Sequence, residues 1–143
     1  MNVLLDTNIW IRYIVKDNKH QFEQSRELFA AIDSGLIKVY GSSIVFLEVN
    51  YVLKNIYRFK FEEILEVMSS MRNLRNVTIL EQVDIDVAIK FFKTYRVKFS
   101  DCLIASQLRN NIVLATFDRE MQKIKATSAK TPREILLELK SLN

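Results

Sequence analysis

The chain alternates short apolar runs with longer stretches whose apolar positions recur at helical spacing. "NVLL", Asn2 to Leu5, is too short for a helix and reads as a buried strand. "TNIWIRYIV", directly after Asp6, reads as a helix. "FEQSRELFAAID" predicts a second helix with Phe22, Leu28, Phe29 and Ile32 facing inward. Gly35 stands where a helix would end in a left-handed conformation. "IKVYG" predicts a second strand, and "SSIVFLEVNYVLKNIY" a strongly apolar helix. "FEEILEVMSSM" places Phe61, Ile64, Leu65 and Met68 at i, i+3, i+4 and i+7, the pattern of an amphipathic helix. "NVTIL" is a third strand. "DIDVAIKFF" repeats the helical spacing with Ile85, Ala88, Ile89 and Phe92. "SDCLIASQLR" is a further helix and "IVLAT" a fourth strand. Asp118 is expected to open a short helix, and "IKATS" to form a weak fifth strand. The last helix has its start written out: Thr131, Pro132 and Glu134 supply the N-cap, the N1 proline and the N3 acid of a capping box.

Strands separated by helices imply parallel pairing with right-handed crossovers. The fold class is therefore α/β: a three-layer α/β/α sandwich with a central parallel sheet of four to five strands. Ligands of such folds bind beyond the carboxyl ends of the strands, so the residues just after each strand matter most.

Composition narrows the chemistry. A chain of 143 residues suits one domain and can bury a core without a staple. The single cysteine, Cys102, excludes an internal disulfide and fits a reducing compartment. No segment has the length of a membrane span, and no signal-peptide pattern opens the chain, so a cytoplasmic location is expected. With only two glycines there is no Gly-rich phosphate loop, which argues against a nucleotide cofactor held that way. A net charge of +4 permits a polyanionic partner without requiring one.

Four acids stand at informative places. Asp6 follows the first strand, Asp118 follows the fourth, and Asp101 opens the helix before that strand. Singly, each is explained as a helix N-cap. Glu48 is harder to explain. Its helical neighbours Ile44, Val45, Tyr51 and Val52 are mostly apolar, and no basic residue stands at pairing distance along the helix. A carboxylate on a buried surface costs several kcal/mol without compensation. The alternative is a glutamate reaching out at the helix edge.

All four acids can lie at the carboxyl end of one parallel sheet. Two carboxylates at ~4 Å repel by about 4 kcal/mol at an effective dielectric near 20. Four would not converge without a cation or raised pKa values. Oxygen ligands without His or Cys suit Mg²⁺ or Mn²⁺. Such an ion activates water and binds a phosphoryl oxygen, the chemistry of a phosphodiester hydrolase.

"LLDTNIW", "SSIVFLEVNYVL", "FSDCLIASQL" and "LATFDREM" together resemble the four motifs of the PIN-domain family, in the family's order and spacing. The resemblance implies a single PIN domain over residues 1–143, similar to the VapC-type toxins of toxin–antitoxin pairs. It implies a Mg²⁺- or Mn²⁺-dependent endoribonuclease. The catalytic, metal-holding acids carry over as Asp6, Glu48, Asp101 and Asp118. Thr7, Asn8 and Thr116 match the small polar positions that support them. Cys102 departs mildly from the small residue the family often has there. A homodimer and a cognate antitoxin are the implied partners, with Trp10 or Tyr13 exposed on the walls of the antitoxin groove.

Other residues are weaker candidates. Arg96, Lys98 and Arg119 lie near the acids in sequence and are possible RNA phosphate contacts. Arg12, Lys16, Arg72 and Arg75 belong to a scattered basic surface. Trp10, Tyr13, Tyr51 and Tyr57 could stack on bases, although aromatics at helical spacing are more often core. His20 reads as a surface residue, and Cys102 as a core thiol. Two readings compete with the toxin: a catalytically silent RNA-binding PIN module, and an RNA-processing nuclease. A phosphatase using a strand-end nucleophile would want a second Asp where the chain has Asn8.

Overall fold

The computed structural model describes residues 1–109 and 111–142. Five strands form one parallel sheet: β1 (Asn2–Leu5), β2 (Lys38–Ser42), β3 (Thr78–Leu80), β4 (Ile112–Ala115) and β5 (Ser128–Lys130). Their order across the sheet is β3-β2-β1-β4-β5. β1 is central and fully parallel to both neighbours, with Leu4 opposite Tyr40 on one side and Leu114 on the other. A strand buried on both faces must be apolar throughout, and Val3, Leu4 and Leu5 are buried.

Seven helices surround the sheet among the described residues: α1 (Thr7–Val15), α2 (Lys19–Asp33), α3 (Ser43–Asn55), α4 (Phe61–Arg72), α5 (Ile85–Tyr95), α6 (Phe99–Gln107) and α7 (Pro132–Leu142). The steps β1 to β2 to β3 run one way across the sheet, and β3 to β4 runs back. Right-handed crossovers therefore put α1–α4 on one face and α5 and α6 on the other. The packing follows, with α1 against α2 and α3, and α5 against α6. This is the α/β/α sandwich expected.

Local chemistry accounts for most boundaries. Asn18 accepts from the Gln21 N–H at 3.1 Å, so α2 begins earlier than its apolar pattern suggests. Gly35 has φ +83° and closes α2, donating to Ile32 O. The Thr131–Glu134 capping box is present, with Thr131 N–H on Glu134 Oε2 at 2.7 Å.

Three expectations fail. "IKATS" is not a strand: Ile124 is fully buried, and Thr127 turns the chain back through two hydrogen bonds to Ile124 O. Pairing with β4 begins only at Ser128. Asp118 does not open a helix, because its backbone N–H is held by Thr116 Oγ at 3.0 Å and its side chain caps Glu120 N–H at 2.8 Å. The next helical turn is a short 3-10 segment, Met121–Lys123. Finally, helical spacing overstates burial in α4 and α5. Phe61, Leu65, Ile85, Ile89 and Phe92 are exposed, while Ile64, Met71 and Ala88 are buried. α4 packs on α3 and α5 on α6, so each buries only a narrow face.

Candidate functional site

The strand order reverses between β1 and β4, and the site lies at their carboxyl ends. β1 delivers Asp6, whose backbone N–H extends the ladder to Ala115 O at 3.0 Å. Its side chain caps α1 by accepting from Thr7 N–H at 2.8 Å. β4 delivers Thr116 and, two residues on, Asp118. α3 begins at the end of β2 and carries Glu48 one to two turns in. α6 contributes Asp101 from its first turn. All four acids line one cavity of about 290 Å³.

Asp6 and Asp101 are buried, and Glu48 and Asp118 are partly exposed. Burial raises the Asp6 carboxyl to about 6, with the charges of Glu48 and Asp118 adding to the rise. Hydrogen bonds from Thr116 and Thr7 oppose it. Burial raises Asp101 to about 7, with Asp6 the next cause. Asp6 feels the charges of Glu48 and Asp118, and Asp101 those of Asp6, Glu48 and Asp118, as expected of neighbouring carboxylates.

Small polar groups hold the acids in place. Thr116 Oγ donates to Asp6 Oδ2 at 2.6 Å and accepts from the Asp118 N–H. Asn8 Nδ2 donates to both Asp6 Oδ2 and Thr116 Oγ, while its Oδ1 accepts from Phe117 N–H. Thr7 Oγ donates to Glu48 Oε1 at 2.9 Å. One hydrogen-bonded net therefore ties the end of β1 to the segment after β4 and to α3.

Glu48 has two further partners whose pairing with it is not visible in the sequence. Lys98 Nζ sits 2.7 Å from Glu48 Oε2, and Ser100 Oγ donates to the same oxygen at 3.1 Å. Glu48 thus has the basic neighbour that its own helix lacks. That hydrogen bond is also the main cause of a raised Lys98 pKa. The only sequence signal for Ser100 is its place beside Asp101 in the first turn of α6. Lys98 lines the cavity. Arg96 and Arg119 are exposed nearby in sequence and do not line it.

Of the remaining candidates, Cys102 is fully buried, as expected of a core thiol. His20 is exposed and bonds Gln24. Trp10 is buried against Phe29, so it cannot serve as an exposed groove wall; Tyr13 is partly exposed.

Among the described residues, no three carboxylates or other ligating side chains close into a ready-made cage for an ion. Mg²⁺ commonly uses one or two carboxylates and keeps several waters. An open, all-oxygen mouth with two acids raised by burial and by their acidic neighbours fits that habit.

A larger open depression of about 1140 Å³ lies elsewhere, between the ends of β3 and α6. Three of its polar side chains, Gln107, Ser106 and Asp84, are engaged within the chain. Gln107 Nε2 donates to Leu80 O and Gln82 O, and Asp84 caps Val87 N–H. Two acids, Glu81 and Asp84, line it, against four at the smaller cavity.

A family model of the PIN domain matches residues 3–126. The chain belongs to the PIN-domain family. Solved structures share the PIN fold at low identity. PAE2754 from Pyrobaculum aerophilum superposes with a TM-score of 0.67 at 16% identity, covering 99% of each chain. A chain of VapBC-1 from nontypeable Haemophilus influenzae gives 0.66 at 22%, covering 93% of this PIN domain and 99% of that chain. A chain of VapBC2 from Rickettsia felis, solved with a DNA fragment from their promoter, gives 0.61 at 20%, covering 92% and 98%. No match is found among curated protein sequences.

Proposed function

We propose that this PIN domain, read as one domain over residues 1–143, is a Mg²⁺- or Mn²⁺-dependent endoribonuclease. In this reading it is the toxin of a VapBC-type pair acting in the cytoplasm. The observation that carries the reading is the gathering of Asp6, Glu48, Asp101 and Asp118 from four separate elements into one cavity. Burial, with the charges of neighbouring acids adding to it, raises two of them, so a bound cation would offset both the desolvation and the repulsion. The four acids would hold the ion. When bound, it supplies Lewis acidity, making water a better nucleophile and neutralising charge on the phosphate. The chain's own part is to hold the acids: Thr116 and Asn8 orient Asp6, and Thr7 and Ser100 orient Glu48. Lys98, Arg96 and Arg119 are the proposed phosphate contacts.

The test is thermal melting and RNA cleavage on the same protein. An ion at ~100 times its dissociation constant adds about 2.7 kcal/mol of stability. Millimolar Mn²⁺ should raise the melting temperature, and EDTA should abolish cleavage. An unmoved melt with EDTA-resistant cleavage overturns the metal site. For the toxin role, expression of the wild-type chain should arrest growth, Asp101→Ala should be harmless, and a neighbouring antitoxin gene should restore growth. Harmless expression of an active nuclease moves the reading to RNA processing.

The antitoxin and homodimer proposals draw support from apolar surface that the fold leaves uncovered. Leu47 and Tyr51 on α3 and Phe61 and Leu65 on α4 are exposed, as are Ile85, Ile89 and Phe92 on α5. No helix among the described residues is long and apolar enough to cross a membrane.

One observation favours a second reading. Lys98 already neutralises part of the cluster, so a silent RNA-binding module could keep the acids without an ion. RNA binding without cleavage at any Mn²⁺ concentration would favour it.

A further inference from the structure

Two unlike sets of side chains line the cavity. The four acids, with Thr7, Asn8 and Lys98, are one. Ile11, Val52, Ile56 and Tyr57, with Arg12, are the other. Acid catalysis has no use for an apolar wall. Nor does folding account for all of it: Ile56 is 62% exposed and stands outside the packed core.

We infer that this wall, centred on Tyr57 and Ile56, is a seat for one nucleobase next to the reacting phosphate. The inference rests on the ribonuclease reading and adds a substrate subsite to it.

Four aromatics are stacking candidates from the sequence, and tertiary structure separates them. Trp10 is buried against Phe29, with ring centroids 4.9 Å apart. Tyr13 packs on Phe22 and Phe29. Tyr51 is exposed on α3 but does not line the cavity. Only Tyr57 of the four stands at the site.

Tyr57 is also held. Its N–H donates to Val52 O at 3.2 Å, fixing the turn that ends α3. Its hydroxyl donates to Asp17 Oδ2 at 2.7 Å. Arg12 Nη1 bonds both oxygens of Asp17, at 2.8 and 3.0 Å, and Arg12 Nε donates to Gln21 Oε1 at 2.7 Å. The Tyr57 hydroxyl, with Arg12 adding to it, holds the Asp17 carboxyl below its ordinary range, so the charge that anchors the ring persists through neutral pH. A ring fixed before binding loses little entropy on meeting its ligand.

The ligand that matches both sets carries an anionic group at one end and a flat apolar face at the other. A nucleotide in a single strand has that shape, since its base can be splayed out and stacked on an aromatic or on a guanidinium plane. Arg12 offers such a plane at the rim. Its Nη2 makes no hydrogen bond among the described residues.

The test uses an oligoribonucleotide that the wild-type protein cuts. A single abasic residue is walked through the cut site. Binding is read by fluorescence anisotropy on an uncleaving Asp101→Asn background, with and without a change at Tyr57. Stacking of one base on one aromatic is commonly worth about tenfold or more in affinity. One abasic position beside the cut should weaken binding about tenfold while Tyr57 is present. Tyr57→Ala should weaken binding of intact RNA and erase that difference; Tyr57→Phe should keep it. If Tyr57→Ala gives no cooperative melt, Tyr57→Leu takes its place, keeping bulk and losing the ring. A flat abasic scan with RNA still bound overturns the seat but leaves the nuclease reading standing, and a protein segment is then the better occupant of the wall. The same holds if Tyr57→Ala weakens intact and abasic RNA equally. RNA neither bound nor cut by the wild type overturns the seat and the nuclease reading together.

Discussion

Lys98 Nζ lies 2.7 Å from Glu48 Oε2, although fifty residues separate them in the chain. The lysine is largely exposed, at 67%, and the glutamate is not, at 14%. An exposed partner is screened, so the pair adds little to stability. Its larger effect is on cations, because it places a positive charge on an acid that would otherwise be free to bind one.

Lys98→Met should therefore tighten Mn²⁺ binding a few-fold and shift the melt of the metal-free protein only slightly. RNA binding should weaken if Lys98 is the phosphate contact proposed above. Calorimetric titration of Mn²⁺ into wild type and variant checks the first half. Weaker Mn²⁺ binding by the variant would mean that Lys98 supports the site by holding Glu48 in position.

The metal-free protein should lose stability as pH rises from about 4 to about 7. Asp6 and Asp101 are raised in the folded chain to about 6 and about 7 from an ordinary value of 3.8. The folded state therefore holds protons that the unfolded state has released, and folding is favoured below the unfolded pKa. That advantage disappears as pH passes the folded values. Glu48 and Asp118 face Asp6, and Lys98 offsets part of their charge at Asp101. A raise of about two pH units corresponds to about 3 kcal/mol. Melts in EDTA across this range check the slope. Asp6→Asn should make it shallower, because the amide does not titrate while Asp101 still does. The variant also puts an NH₂ group where Thr116 and Asn8 donate, so it should be less stable than wild type near pH 4.5 and equal or better near pH 8. Cleavage should be lost at every pH.

Thr116 is the hub of the net, and removing its hydroxyl leaves buried partners unmatched. Thr116→Val should cost about 1–3 kcal/mol and reduce cleavage. Thr116→Ser keeps the hydroxyl that serves Asp6, Asn8 and Asp118 N–H, and should recover most of both. Urea unfolding alongside single-turnover cleavage checks the pair. A Val variant as stable and active as wild type would mean that Asp6 is positioned by its bonds from Thr7 N–H and Asn8 Nδ2 without Thr116.

Hydrophobic periodicity alone determined the order of strands and helices, their parallel pairing and the strand-end positions of Asp6 and Asp118. These are local features, set by whether apolar residues recur every second position, every three to four, or without a break. The acids were legible because a carboxylate inside an apolar stretch conflicts with its surroundings, as Glu48 does among Ile44, Val45 and Val52. Contacts between distant segments were not legible. Lys98 reaches Glu48, and Arg12 meets Asp17 and Tyr57, only after the crossovers bring α1, α3 and α6 together. Burial of α4 and α5 was misjudged for a related reason. Periodicity shows which face of a helix is apolar, and neighbouring elements decide whether that face is covered. Which acid is most desolvated, and which aromatic stands at the cavity, depend on the same three-dimensional crowding. Asp6 is deeply buried because β1 is the central strand, and Trp10 packs away from the site because the next turns of α1 run along α2.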